Sequence, residues 1–232
     1  MPTTILIMGG NHELVATYLS TPNTMMIVTV RDLSKFKSLS ALPKALGSSL
    51  FIIKLEILST KSIATAIDTL KTHNISALDV VIANAGISGP THSLVEAPVS
   101  ELQKYIDVNI YKLFKLFKAV LPLLCSSDAE CKAKYVLISS ACGSLTTMYN
   151  FMPIPAYGVS KNVIIWAQNP GNVDTNMAWD GLDLAKILGF DLSIVCFTPP
   201  EESARAIKNM INSVTAKISG KFLDHDGSEL AW

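Results

Sequence analysis

The sequence predicts an α/β fold: one doubly wound parallel sheet with helices on both faces. Two observations carry this. Apolar runs of strand length recur at 4–8, 25–30, 50–55, 80–83, 135–139 and 164–167, and none alternates cleanly. A strand covered on both faces reads in that way, because neither side of its pleat meets water. Stretches of helical character separate the runs at 13–19, 61–72 and 100–124. In the last, Leu102, Ile106, Ile110, Leu113, Phe117, Val120 and Leu124 recur at intervals of three and four, which lines one helix face. Strand and helix in alternation give parallel pairing through crossover helices. Further on, 200–214 reads as a helix and 221–223 as a last short strand.

Length and charge narrow the function. A chain of 232 residues suits one large domain, 1–232, and is short for two domains with a linker. Nineteen basic residues balance nineteen acidic ones, so no overall field favours nucleic acid or an anionic membrane. The charged fraction is 16% and the apolar fraction 49%, as a buried sheet or an apolar ligand surface requires. No apolar run approaches the ~20 residues of a membrane span. The start carries no basic leader, so 5–8 reads as a first buried strand rather than a signal core. Cysteines 125, 131, 142 and 196 lack paired metal-ligand spacing, and reduced thiols in a cytoplasmic protein are expected.

In such a sheet, ligands bind beyond the carboxyl ends of the strands, where strand order reverses. Small and polar residues gather at those ends: Gly9-Gly10-Asn11, Arg31, Glu56, Asn84-Ala85-Gly86, Ser139-Ser140 and Pro170-Gly171. Tyr157 and Lys161 are four apart, which places both on one helix face. An ammonium beside a phenol favours the phenolate, so the pair predicts a tyrosine of lowered pKa. That tyrosine would exchange a proton with a carbonyl oxygen while hydride moves, and Ser140 would hold the oxygen. Taken alone, Tyr-x-x-x-Lys also describes many solvated helix faces.

The combination is far more specific. Val81-Ile-Ala-Asn-Ala-Gly86, Asp107-Val-Asn109, Val136-Leu-Ile-Ser-Ser140, Tyr157-Gly-Val-Ser-Lys161 and Pro170-Gly-Asn-Val-Asp-Thr175 resemble the successive motifs of the short-chain dehydrogenases/reductases. The tail Gly220-Lys-Phe-Leu-Asp-His-Asp-Gly227 resembles the end of a subgroup with carbonyl reductases and fungal norsolorinic-acid-ketoreductase-like enzymes. The resemblance implies a Rossmann-type fold and an oxidoreductase acting on a small carbonyl or alcohol. It implies Tyr157 as acid/base, Lys161 as its pKa partner and ribose ligand, and Ser140 as the substrate-oxygen ligand, with Ser139 more a packing residue. Asn109 matches the asparagine that helps hold a water in the proton relay; a buried helix asparagine bonded to backbone is the other reading.

For a nicotinamide cofactor, the resemblance implies contacts from Gly9, Asn11, Glu56, Asn84, Val173 and Thr175, with Tyr157 and Lys161. Arg31, after the second strand, would pair with a 2′-phosphate and select NADP(H) over NAD(H). Glu56 stands where the family has an aspartate touching adenine.

Two departures stand out. The family loop Thr-Gly-x-x-x-Gly-x-Gly is here Met8-Gly-Gly-Asn-His-Glu-Leu14, about four residues shorter and without the two later glycines. Gly9 can serve as the first glycine, and Asn11 can cap the helix and offer amides to a phosphate. Glu13 brings a like charge there. Secondly, only 8 residues lie between Lys161 and Pro170, too few for an average helix of ~11–12 residues and a strand of ~5–6. Most of the helix that starts at the catalytic tyrosine is therefore expected to be absent, together with the usual homodimer contact. Ser140 and Tyr157 are 17 apart, a few residues more than usual. The segment 178–198, with Trp179, Leu182, Leu184, Ile187, Leu188 and Phe190, is expected to be a substrate lid or an amphipathic core helix. A lid suggests a bulky apolar substrate, such as a polyketide-like secondary metabolite. The alternative to an active enzyme is an impaired relative that acts as a binding or scaffold protein.

Overall fold

The computed structural model describes residues 2–35, 37–89, 95–127, 133–143, 155–161, 167–168, 170, 172–175, 178–179, 186, 197–213, 221–224 and 226–230. Its contacts group into two compact units. One comprises Met1–Ala85 and Tyr111–Leu137, the other Gly86–Ile110 and Ile138–Trp232.

The first unit holds strands β1 (Thr3–Met8), β2 (Thr24–Val30), β3 (Ser49–Lys54), β4 (Val80–Ala83) and β5 (Lys134–Ile138). They lie in the order β3-β2-β1-β4-β5, all parallel. Side chains alternate between the two faces. Leu6, Met8, Ile27, Ile53, Val81 and Ala83 join one core with helices α3 (Thr60–Thr72) and α5 (Lys112–Cys125), which contribute Ile63, Leu70, Leu116 and Val120. Ile5, Ile7, Met26, Val28 and Ile82 are buried on the other face, and helix α1 (His12–Leu19) packs beside β2 through Leu14, Val15 and Leu19. Fully buried Leu116 is a keystone of the first core; truncation to alanine costs ~2–5 kcal/mol. The chain runs outward from β1 to β3 and returns to β4, so strand order reverses between β1 and β4. The doubly wound, Rossmann-type parallel sheet is thus present.

Hydrophobic runs located these strands to within a residue or two, and the helices 13–19 and 61–72 likewise. The long stretch 100–124 is not one regular helix. It is α4 (Val99–Ile106), a π-helical turn at Asp107–Tyr111, then α5. Apolar spacing runs unbroken through the turn, so periodicity alone misses a local widening of the ladder. Such turns concentrate at functional sites. The short helix α2 (Lys37–Ser40) was not expected.

In the second unit, α6 (Pro155–Lys161) has seven residues, and the next strand, β6, is Ala167–Gln168. The expected loss of the helix beyond Lys161 falls on 162–166, which lie outside the described residues. The strand anticipated at 164–167 is described only from Ala167, since 164–166 lie outside the described residues. Helix α7 (Pro200–Ser213) buries Ser203, Ala204, Ile207 and Ile211, and Ser203 Oγ donates to the Pro170 carbonyl at 2.7 Å. Strand β6 pairs parallel with β7 (Phe222–Leu223), and β7 antiparallel with β8 (Glu229–Leu230), a strand the sequence did not announce. Of the expected lid, 180–185 and 187–196 lie outside the described residues. Among the described residues no helix is long and apolar enough to cross a membrane, and no cluster of three metal-ligating side chains occurs.

Candidate active site

The strand ends of the first unit carry the residues assigned to the cofactor. Gly9 follows β1 at φ +83°, the left-handed region that favours glycine. A Cβ there would stand 3.0 Å from Ala85 Cβ, so glycine also permits the close approach of the two strand ends where order reverses. Its N–H donates to Thr29 Oγ1 at 3.2 Å. Asn11 caps α1, its Oδ1 accepting from Leu14 N–H at 3.0 Å. Its own N–H donates back to the Gly9 carbonyl at 2.8 Å. That bond closes a tight turn between β1 and α1. Glu13 is not alone, since its carboxylate meets His12 Nδ1 at 2.9 Å.

Arg31 directly follows β2, exposed and without an ion pair among the described residues. The neighbouring Asp32 is engaged elsewhere, accepting from Ser34 N–H and Oγ at 2.9 and 2.8 Å. Glu56 turns its carboxylate to Leu58 N–H at 3.2 Å. Asn84, half-buried, donates its N–H to the Ile82 carbonyl at 3.1 Å. An exposed guanidinium at the end of β2 is chemically suited to a phosphate group.

The second unit brings the four catalytic candidates together. Asn109 lies in the π-helical turn, buried. Its Oδ1 accepts from Ile87 N–H at 3.0 Å, and its Nδ2 donates to the Ile87 carbonyl at 3.0 Å and to Ser160 Oγ at 2.9 Å. Its side chain is thus fully bonded, in line with the structural reading of this residue. Lys161 is 9% exposed, and its Nζ donates to the Ile138 carbonyl at 3.1 Å while standing 5.7 Å from the centre of the Tyr157 ring. A Cβ on Gly86 would lie 3.2 Å from both Lys161 Nζ and Asn109 Oδ1. A side chain there would press on both by a few tenths of an ångström, so glycine eases that convergence. The Ser140 hydroxyl hydrogen-bonds with Tyr157 and accepts from Cys142 N–H at 3.3 Å. Thr175 and Val173 belong to the same unit. Thr175 Oγ1 accepts from Ala178 N–H at 3.3 Å, and Val173 bridges to Thr198.

The electrostatics depart from the expectation. Burial pushes the Tyr157 phenol well above its ordinary value; Cys142 and Tyr105 add to this, and the Ser140 bond opposes it. Lys161 is pushed down to about 8, again by burial. Spacing suggested that the ammonium would lower the phenol. Desolvation dominates instead, because both groups are buried and Lys161 turns to a carbonyl. The cluster therefore holds a proton on Tyr157 near neutral pH.

Sequence reasoning missed several members. Tyr105 presents its ring edge-on to Tyr157, centroids 6.2 Å apart. Ser160 links Asn109 to the Tyr157 carbonyl, to which its Oγ donates at 2.7 Å. Ser139 Oγ donates to the Lys161 carbonyl at 2.8 Å. Tyr105 is four residues before Asn109, a helical spacing that offered a weak signal.

Comparison with known proteins decides the family. The family profile described as Enoyl-(Acyl carrier protein) reductase matches residues 13–168. The short chain dehydrogenase gsfK of Penicillium aethiopicum is 67% identical, with 100% of both chains covered. The chain belongs to the short-chain dehydrogenase/reductase family. Its alignment with gsfK spans 251 positions against 232 residues, which leaves 19 positions of that relative without a counterpart. Shortening relative to this family member is thus real. Norsolorinic acid ketoreductase nor1 of Dothistroma septosporum is 32% identical, covering 99% of this chain and 92% of that one. The fold matches the NADPH-bound carbonyl reductase from chicken fatty liver with a TM-score of 0.82, at 22% identity over 100% and 94% of the two chains. The protein is therefore an oxidoreductase of a family that includes ketoreductases.

Proposed function

We propose that this dehydrogenase/reductase, acting as one domain over 1–232, uses NADP(H) to reduce a ketone on a bulky apolar substrate such as a secondary metabolite, or oxidises the matching alcohol. The observation that carries the reading is the clustered Asn109, Ser140, Tyr157 and Lys161, with the proton held on Tyr157. A protonated phenol is the form that carbonyl reduction consumes. The cofactor, when bound, supplies the hydride. Tyr157 gives its proton to the carbonyl oxygen, and Ser140 holds that oxygen in line. Lys161 stabilises the developing phenolate, and Asn109 fixes the loop at Ile87 and the helix at Ser160.

On the cofactor side, Arg31 takes the 2′-phosphate, and Gly9 and Asn11 shape the loop near the diphosphate. Asn84 serves the adenosine ribose and Glu56 the adenine, while Val173 and Thr175 serve the nicotinamide end, with Tyr157 and Lys161 at its ribose. The partner is a small molecule rather than nucleic acid. The cytoplasm suits the free thiols of Cys125 and Cys142. A second reading, an impaired relative that binds without turnover, draws support from the short loop at Gly9–Asn11, which lacks the family's two later glycines.

Titration with NADPH and NADH, read by nicotinamide fluorescence and thermal melting, tests the proposal. A ligand that binds only the native state raises the melting temperature, with ~2.7 kcal/mol of stabilisation at a hundredfold excess over Kd. NADPH is expected to raise it more than NADH. No shift at millimolar NADPH would sink the enzymatic reading.

A further inference from the structure

The described helix that carries Tyr157 and Lys161 spans Pro155–Lys161. A buried carbonyl needs a hydrogen-bond partner. For Lys161 that partner is the Ser139 hydroxyl, 6% exposed, donating at 2.8 Å. Two glycines bring the neighbouring backbone into contact. A Cβ on Gly143 would lie 2.8 Å from the carbonyl carbon and oxygen of Lys161, and one on Gly158 2.5 Å from the Cys142 carbonyl. The segment 139–143 therefore grips α6 at Gly158 and at Lys161.

A second grip comes from the other motif. Asn109 Nδ2 donates to Ser160 Oγ at 2.9 Å, and that hydroxyl donates onward to the Tyr157 carbonyl at 2.7 Å. Because Ser160 accepts and donates at once, its rotor is fixed. We propose that Ser139 and Ser160 are positioning residues that hold the backbone of Lys161 and Tyr157 through hydrogen bonds to their carbonyls. The inference rests on the proton-transfer assignment of these two residues. Neither serine touches the reacting atoms; each acts through a carbonyl of a residue that does.

The test compares Ser139→Ala, Ser139→Thr, Ser160→Ala and wild type in the full chain, by steady-state kinetics and amide hydrogen exchange. A misplacement of about 1 Å can cost ~10²-fold in rate. Each alanine variant is expected to lose ~10-fold or more in kcat, with KM and the NADPH Kd within about twofold. Ser139→Thr keeps the hydroxyl and restores most of the rate. Amides of 157–161 exchange faster in the alanine variants and recover in Ser139→Thr. A kcat within twofold of wild type in both alanine variants overturns the proposal. So does a loss that threonine fails to rescue and that follows global melting. If the wild type binds NADPH but reduces no ketone, the functional reading has failed, and exchange alone decides the grip: unchanged exchange at 157–161 refutes it, faster exchange upholds it.

Discussion

In the first unit, five parallel strands of four to seven residues enclose a continuous apolar core. In the second, the described strands β6, β7 and β8 have two residues each, and α6 has seven. The ligand-facing residues are distributed the other way round. The unit with the regular scaffold has a short loop after β1, a cap residue whose N–H bonds back to the Gly9 carbonyl, and an acidic side chain on the first turn of α1. The unit with the shorter elements keeps Asn109, Ser140, Tyr157 and Lys161 in one bonded cluster. Regularity of the framework and completeness of the chemistry are therefore separable.

The contrast makes the catalytic cluster the sensitive half. Tyr157→Phe should lower carbonyl reduction by ~10²–10⁴-fold with NADPH binding unchanged, measured by turnover and by fluorescence titration. Retained turnover would place the proton donor elsewhere.

The next largest effect is a pH dependence. Lys161 carries its charge below about 8 and loses it above, while the phenol of Tyr157 stays protonated well beyond. Reductive kcat/KM should therefore fall about tenfold per pH unit above pH 8, with one basic limb from Lys161. The same group tests stability. A lysine pKa depressed from 10.5 to about 8 penalises the folded state by about 3 kcal/mol, fully below pH 8 and decreasingly as pH rises toward 10.5. Lys161→Met should melt higher than wild type at pH 7, by a margin that shrinks above pH 8, while turnover is abolished. A variant that melts lower at pH 7 would show that the buried ammonium is well compensated.

On the cofactor half the effects are smaller. Arg31→Ala should weaken NADPH by ~10-fold and leave NADH nearly untouched, because a guanidinium pairs with the 2′-phosphate alone. Equal weakening of both would remove Arg31 from cofactor choice. Glu13→Gln should tighten NADPH by only ~2–3-fold at low salt, since the carboxylate is solvated and already faces His12. The gain should vanish in concentrated salt, and a gain that salt leaves intact would point to a cause other than charge.

Much of this was legible in the sequence, for reasons that differ by region. Continuous runs such as Ile5-Leu6-Ile7-Met8 announce buried parallel strands because no alternative buries both faces. The motifs located the four catalytic candidates. The widening at Asp107–Tyr111 left no trace, since apolar residues keep their helical spacing through it. The sign of the Tyr157 shift was misread because spacing reveals a neighbour but not the burial that competes with it. Ser139 and Ser160 stood inside the quoted motifs, yet their partners, Lys161 and Asn109, lie 22 and 51 residues away along the chain. The described parts of β6 to β8 are two residues each, too few for a pattern to appear.

The pairing of Val173 with Thr198 has a consequence for how this enzyme can change. Asp174 N–H donates to the Thr198 carbonyl at 3.0 Å and Thr198 N–H to the Asn172 carbonyl at 2.7 Å, so the chain is fastened at both ends of 174–197. Trp179 buttresses the fastening, its indole N–H on Asp174 at 2.7 Å and its ring 4.8 Å from that of Phe197. A segment pinned at its root can be lengthened at little cost, since each doubling of a loop adds only ~0.6 kcal/mol of closure entropy. Natural variation can therefore change the length of the chain between the pins while the residues of the α6 cluster stay as they are.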